Sequence, residues 1–293
     1  MKSRTLWLAA VALLVVAAAT LLQPRADSRD AGPETSDSAS AHQRRIRDFW
    51  AVYRQATEYR VAGNAGSAVE AYTRALASDP QHEDALYYLG NMLLELGRYR
   101  DAAAAWEQLA SVNPRSSRAH ARLGDLHFCL EPGAPANLER AEAEYRRALR
   151  INQEETGPLL RLGEIALVRG NLADAGYFLD AVIGANPGSV EAQVLKGYLA
   201  WRAGDRSLAA AQFARAVDLA RPAEPPAAVP GEGDTKRGLR PMVVHEMKCG
   251  TFPPDLAQRL QAAGSDLSVA MRGVYQGLDR VVEQFRRVRP GTD

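Results

Sequence analysis

The residues of this 293-residue chain that could do chemistry are five histidines, two cysteines and two repeated arginine–carboxylate pairs. His120 and His127 lie seven apart, so on a helix they share one side, but no third ligand stands at metal spacing and a structural pair is the expected reading. His245 with Cys249 is a two-ligand fragment, and His42 and His82 are isolated. No His-Glu-x-x-His zinc helix, Cys-x-x-Cys-His haem site, Gly-x-Ser-x-Gly elbow or Walker phosphate loop occurs. The expectation is a chain that is no enzyme and carries no cofactor or metal. Cys129 and Cys249 cannot make a disulfide framework; one bridge is open to them in an oxidising compartment. The favoured reading is two unrelated thiols, with Cys129 a packed or groove-edge residue.

The pairs are Arg122-Leu-Gly-Asp125 and Arg161-Leu-Gly-Glu164, near copies that place an arginine and a carboxylate at i,i+3 on two helices. One reading is a pair of surface ion pairs. The other is a mixed-charge strip that sets the register of a bound peptide. The choice depends on the elements that carry them.

Those elements recur at about 34 residues, the period of a helix–turn–helix solenoid. The clearest copy, Ala85 to Pro114, has Leu86, Leu89 and Leu93 on one helical face with Gly90 between, a break at Gly97, then Ala102, Trp106 and Leu109. Ala68, Tyr72, Ala75 and Pro80 stand in the same register before it. Leu123-Gly124 with Ala141, Tyr145 and Ala148, Leu162-Gly163 with Ala175, Leu179 and Pro187, and Gly197 with Ala209, Phe213 and Ala216 stand after it. On these residues the chain resembles the tetratricopeptide repeat family over roughly 49 to 222. It departs at Gln55-Ala56, at Gln153, where proline is absent inside the array, and at Lys196 before Gly197. The resemblance implies an all-α, right-handed superhelical solenoid of about five repeats (49–82, 83–116, 117–153, 156–189 and 190–222) in a domain of 42–221. Small residues such as Gly90 and Gly124 let the two helices of a repeat approach, and Trp106, Tyr145 and Phe213 fill space against the next repeat. The insertion Cys129 to Leu138, with Pro132, Gly133 and Pro135, lengthens one loop at the edge of the stack and reads as a tolerated surface insertion.

In this family the first helices of successive repeats line a concave groove that takes a segment of another protein. The groove residues left over by packing are Tyr53, Thr57, Tyr87, Tyr88, Asn91, Glu95, Arg122, Asp125, Arg161, Glu164, Tyr198, Trp201 and Arg202. Tyr53, Tyr87, Tyr88, Asn91, Arg122, Asp125, Arg161, Glu164, Tyr198 and Trp201 are the candidate partner-binding set. Asn91 resembles the asparagine with which family members hold a ligand backbone. The full lysine and asparagine set of the chaperone-tail-binding members is missing, so a C-terminal carboxylate ligand is not implied.

The flanks complete the picture. Lys2 and Arg4 precede an apolar run from Leu6 to Leu22, long enough to span a bilayer with the N-terminus in the cytoplasm and the repeats on the extracytoplasmic side. The alternative for 1–24 is a cleaved signal peptide, with Ala17-Ala18-Ala19 as its cleavage site, and secretion. Residues 25–41 read as a flexible tether, and Arg44, Arg45 and Arg47 as a solvated helix face, with contact to anionic headgroups as the alternative. Residues 222–254 read as a Pro/Gly-rich linker with Met242-Val243-Val244 a short extended candidate. Residues 255–288 read as one long amphipathic helix capped by Asp255, with Leu256, Leu260, Ala263, Leu267, Val274, Leu278, Val281 and Phe285 on its stripe. Its glycines demand a packing surface: the solenoid, a partner or, through self-association, a second copy. A net charge of +1 argues against nucleic acid as partner, and 46% hydrophobic residues against disorder throughout. The expected function is a membrane-tethered scaffold that holds another protein's segment in its groove. The alternative is an assembly or maturation factor that holds unfolded clients, as repeat proteins of cytochrome biogenesis do.

Overall fold

The structure, a computed structural model, describes residues 33–221, 249, 251–252, 256–263 and 266–287; among them there are helices and no strands. The apolar run at 6–22, Met242-Val243-Val244, Asp255 and His245 lie outside the described residues. Among the described residues no helix is long and apolar enough to cross a membrane. The chain divides into two units, 1–46 and 47–293. In the first, residues 33–46 are the opening turns of helix α1 (Pro33–Val61). The flexible reading of 25–41 is therefore corrected for 33–41. Pro33 stands at a first helical position, where its missing N–H costs nothing, and the helix formers Ala39, Ala41, Gln43, Arg44 and Arg45 follow it.

In the second unit α1 is followed by α2 (Ala65–Ser78), α3 (Glu83–Glu95), α4 (Tyr99–Val112), α5 (Ser117–His127), α6 (Leu138–Ile151), α7 (Thr156–Arg169), α8 (Leu172–Ala185), α9 (Val190–Arg202) and α10 (Arg206–Ala220). From α3 on, successive helices pair as hairpins and each hairpin packs on the next; α1 meets α2 through Tyr53 and Thr57 against Tyr72. Four of the five hairpin turns pass through Gly63, Gly97, Gly170 and Gly204 at φ of 74°, 73°, 80° and 85°, a conformation that costs any side chain with a Cβ. The turns between hairpins share another device. Asp79, Asn113, Asn152 and Asn186 each accept a hydrogen bond on the side-chain oxygen from the backbone N–H two residues on, at 3.2, 3.0, 3.2 and 3.1 Å. The side-chain acceptor makes the turn, so the turn at Gln153 forms as the others do without proline.

The glycines of the Leu-Gly positions mark the closest approaches. A Cβ on Gly90 would lie 2.3 Å from the Trp106 Nε1, and one on Gly124 2.6 Å from the Tyr145 ring. The large residues thus sit over a glycine in their own repeat, as well as facing the next. Trp106 and Tyr145 are fully or almost fully buried there, and Trp106 Nε1 donates to the Tyr87 carbonyl at 3.3 Å. At Gly163 the partner is the smaller Leu179, and a Cβ would sit at an easier 3.4 Å.

Beyond the repeats the chain returns as an arm. Cys249, Thr251 and Phe252 are followed by α11 (Leu256–Gln261) and α12 (Leu267–Arg287). The single helix expected over 255–288 is broken. Asp266 restarts it, its carboxylate accepting from the Val269 N–H at 3.1 Å. The break resets the stripe: α12 buries Met271, Val274, Tyr275, Leu278, Val282 and Phe285, while Leu267 is exposed and Val281 is only partly buried. Both helices pack on α10, and α12 also on α7.

Two substitutions separate packing from propensity. Gly90→Ala gains about 1 kcal/mol of helix propensity but drives a methyl into Trp106, so a net loss of about 1–3 kcal/mol is expected. A Cβ on Gly273 of α12 meets nothing within 4 Å, so Gly273→Ala is expected to stabilise by up to about 1 kcal/mol. Thermal or urea unfolding of the two variants reads both signs.

Candidate functional site

The first helices of the hairpins, α1, α3, α5, α7 and α9, carry the candidate residues, and the structure divides them into two sets on either side of the buried Asp125. Tyr53, Tyr87, Tyr88, Asn91 and Arg122 are partly buried side chains with one flank open. Arg161, Glu164, Tyr198 and Trp201 are covered by the chain's own arm.

The open set is a lattice of tyrosine rings and guanidinium groups. Tyr53 meets Tyr72 edge-on at 5.7 Å, and Tyr72 stacks on Tyr88 at 6.0 Å. Arg60 lies 4.3 Å over the Tyr88 ring while its Nε donates to the Tyr72 hydroxyl at 3.3 Å. Tyr87 is clamped the same way: Arg118 lies 4.8 Å over its ring, and Arg122 donates to its hydroxyl through Nε and Nη2 at 3.1 and 3.0 Å. Each guanidinium trades water for a ring face, which fixes the ring at little entropic cost. Burial and the proximity of Tyr72, Asp84 and Tyr88 push the Tyr53 hydroxyl up to about 12, so it is a neutral donor at any ordinary pH. Asn91 makes no side-chain hydrogen bond among the described residues.

Arg122 and Asp125 form the first repeated ion pair at 2.9 Å. Asp125 is buried and also accepts from the Tyr145 hydroxyl at 2.8 Å. Arg161 and Glu164 form the second at 2.7 Å, and the Arg161 Nε lies 3.5 Å from Asp125, so the two pairs are joined into one ladder. Desolvation alone lowers the Arg161 pKa, but Glu164 and then Asp125 outweigh it and hold the guanidinium charged. The surface-pair reading therefore gives way to a buried network. A cavity of about 490 Å³ opens beside it, lined by Tyr87, Arg118, Arg122, Asp125, Leu160 and Arg161 among others.

The arm closes the rest. Cys129 and Cys249 are joined by a disulfide, with Cα atoms 4.4 Å apart and both residues buried, which corrects the reading of two unrelated thiols. The insertion after α5 carries Cys129, so the loop expected as a tolerated insertion is the arm's attachment point. Arg161 Nη2 donates to the Cys249 carbonyl at 3.2 Å, and the Thr251 hydroxyl donates to Glu164, which has no exposed surface. Tyr198 donates to Asp279 of α12 at 2.6 Å, and Arg202 reaches the same carboxylate at 3.2 Å. Burial and then that bond push the Tyr198 hydroxyl up to about 12. Tyr275 packs against Tyr198, Trp201 and Phe213 with ring centroids 5.7–5.8 Å apart. Phe285 stacks on Phe128 at 4.5 Å, and Arg286 donates to the Val168 carbonyl at 2.7 Å.

A Cβ on Gly197 would lie 2.1 Å from the Tyr275 hydroxyl. In the fifth repeat the arm thus takes the place over glycine that Trp106 holds in the second. A sequence signal for this existed in the unpartnered α12 stripe and the two cysteines, but neither states which repeat face the arm covers. His120 and His127 hold separate partners, the Glu144 carboxylate at 2.7 Å and the Pro135 carbonyl at 3.1 Å. Among the described residues no group of three His, Cys, Asp or Glu is placed to hold a metal ion.

Two tetratricopeptide repeat models match the chain, one over residues 61–126 and one over 134–190. With five helical hairpins in one register, four of them carrying the glycine of the Leu-Gly position, the chain is a tetratricopeptide repeat protein. Among curated proteins it is 24% identical over 150 residues to the BBSome complex member BBS4 of Mus musculus, covering 51% of this chain and 28% of that one. The Bos taurus protein of the same name is 23% identical over the same length. The chain spans just over a quarter of the length of these relatives. Among solved structures, pilF of Pseudomonas aeruginosa superposes with a TM-score of 0.50 at 22% identity, covering 58% of this chain and 75% of that one. A thermophilic repeat protein of Thermus thermophilus, TTC0263, gives 0.49 at 23% identity, covering 58% and 91%. At 22% identity the likeness to pilF is one of fold.

The disulfide closes a loop with a sequence separation of 120. Replacing both cysteines by alanine is expected to cost about 2–5 kcal/mol, because the unfolded chain regains that loop's freedom. Urea unfolding with and without a reductant checks it: reductant should lower the midpoint of the native chain and leave that of the double variant unchanged.

Proposed function

We propose that the chain is a non-enzymatic scaffold that holds a segment of a partner protein in the open half of its groove. Tetratricopeptide repeats mediate contacts between proteins. The observation that carries the reading here is the cavity beside Tyr87, Arg122 and Asp125, left open where the arm ends. Its aromatic rings supply contact area that is already rigid, and its paired charges offer hydrogen bonds in fixed directions. A partner segment entering it meets Tyr87, Arg118 and Leu160 on the walls and Arg161 at the end nearest the arm. The unfilled amide of Asn91 lies on the same side, suited to a ligand backbone.

The chain is tethered by residues 5–22, with the repeats on the extracytoplasmic side. A disulfide between two buried cysteines supports that placement, since such bridges persist in oxidising compartments. The mouse and bovine relatives, members of the BBSome complex by name, are in keeping with a scaffold role.

A photocrosslinking amino acid at position 87 is expected to trap one partner in stoichiometric yield from native membranes. The same probe at position 198, under α12, is expected to trap none. Many substoichiometric unfolded clients at position 87 would favour the maturation-factor alternative, and equal trapping at both positions would contradict the closed half-groove.

A further inference from the structure

The exposed face of α1 carries features the groove does not use. Arg47, Trp50 and Arg54 follow one another at i, i+3 and i+7, which puts them on one stripe of the helix. Phe49 and Ala56, on the opposite stripe, are buried and fix which side α1 turns outward. Trp50 is 49% exposed although its ring is braced by Phe49, Tyr53 and His82 at 5.2, 5.6 and 5.5 Å. Neither Arg47 nor Arg54 makes an ion pair among the described residues. The acids of this stretch are Asp48, off to the side, and Glu58, one turn beyond Arg54. A braced, half-exposed tryptophan between two unpaired arginines is the composition of a surface that meets phospholipid headgroups: the indole sits at the interface and the guanidiniums pair with phosphate.

Reach supports the same partner. Residues 23–32 span at most about 35 Å when fully extended, and the fourteen helical steps from Pro33 to Arg47 add about 21 Å. With residues 5–22 in a bilayer, chain length alone keeps this face within about 56 Å of the surface, so contact is within reach. We infer that the Arg47–Trp50–Arg54 face of α1 docks on an anionic phospholipid surface, laying the first repeat against the membrane. The inference rests on the anchored reading above.

The test uses the full chain carrying Trp7→Phe and Trp201→Phe, reconstituted into vesicles of phosphatidylcholine with or without 30% phosphatidylglycerol. Trp106 is fully buried, so quenching by brominated lipid reports on Trp50. Quenching is expected with phosphatidylglycerol and not without it. It should be lost in 0.5 M salt, and the ratio of docked to undocked protein that it reads should fall roughly tenfold on Arg47→Gln with Arg54→Gln. If the protein resists carbonate extraction yet Trp50 stays unquenched, the anchor stands and this inference falls. If it is extracted and unquenched, both fall. Quenching indifferent to lipid charge would overturn the recognition of anionic headgroups.

Discussion

A carboxylate with no exposed surface, Glu164, sits on the groove side of the fourth repeat. Burying a charge costs several kcal/mol unless it is paired and hydrogen-bonded, and here Arg161 pairs with it while Thr251 of the arm donates to it. One of the two satisfying groups therefore comes from a segment 87 residues away in sequence. The arrangement of the groove follows from that. Once Thr251 and Cys249 lie over Arg161 and Glu164, the disulfide to Cys129 holds them, α12 lies over α7 and α10, and the last repeat's aromatic positions are filled from within.

The same physics explains why the other half stays open. In the second and third repeats, Trp106 and Tyr145 already occupy the space over Gly90 and Gly124. Nothing remains there for an arm residue to fill. In the fifth, Gly197 faces the Tyr275 hydroxyl, and the arm adds an aromatic ring to the packing of that repeat. The open repeats are thus those whose glycine lies under a tryptophan or tyrosine of their own hairpin, and the covered ones those whose glycine lies under Leu179 or Tyr275. Arg161 stands at the border: it binds the Cys249 carbonyl on one side and lines the cavity on the other. A segment entering the cavity would share that guanidinium with the arm.

The repeats were legible in the sequence because their packing is local. Gly90 and Trp106 are close in sequence, and a period of about 34 residues repeats their spacing. The inter-repeat turns are legible only in part: proline marks some of them and is absent at Gln153, while all four are made by the side-chain acceptor common to Asp79, Asn113, Asn152 and Asn186. The arm was not legible as a groove filler, because contacts such as Tyr198 with Asp279 join segments with no shared period. The long stripe over 255–288 announced a need for a surface without saying which, and the break before Asp266 shifted its phase. Helical phase places residues on a face but cannot show that Arg161, Glu164, Tyr198 and Trp201 are covered on it.

Native-state hydrogen exchange tests the central claim, that the chain's own C-terminal arm fills one half of the groove. A helix of 21 residues with Gly273 and Gly277 inside it protects its amides poorly unless packed. The account predicts that amides of α12 in the intact protein exchange as slowly as those of α9 beneath it. Exchange of α12 at the rate of an unstructured peptide, with α9 still protected, would contradict it.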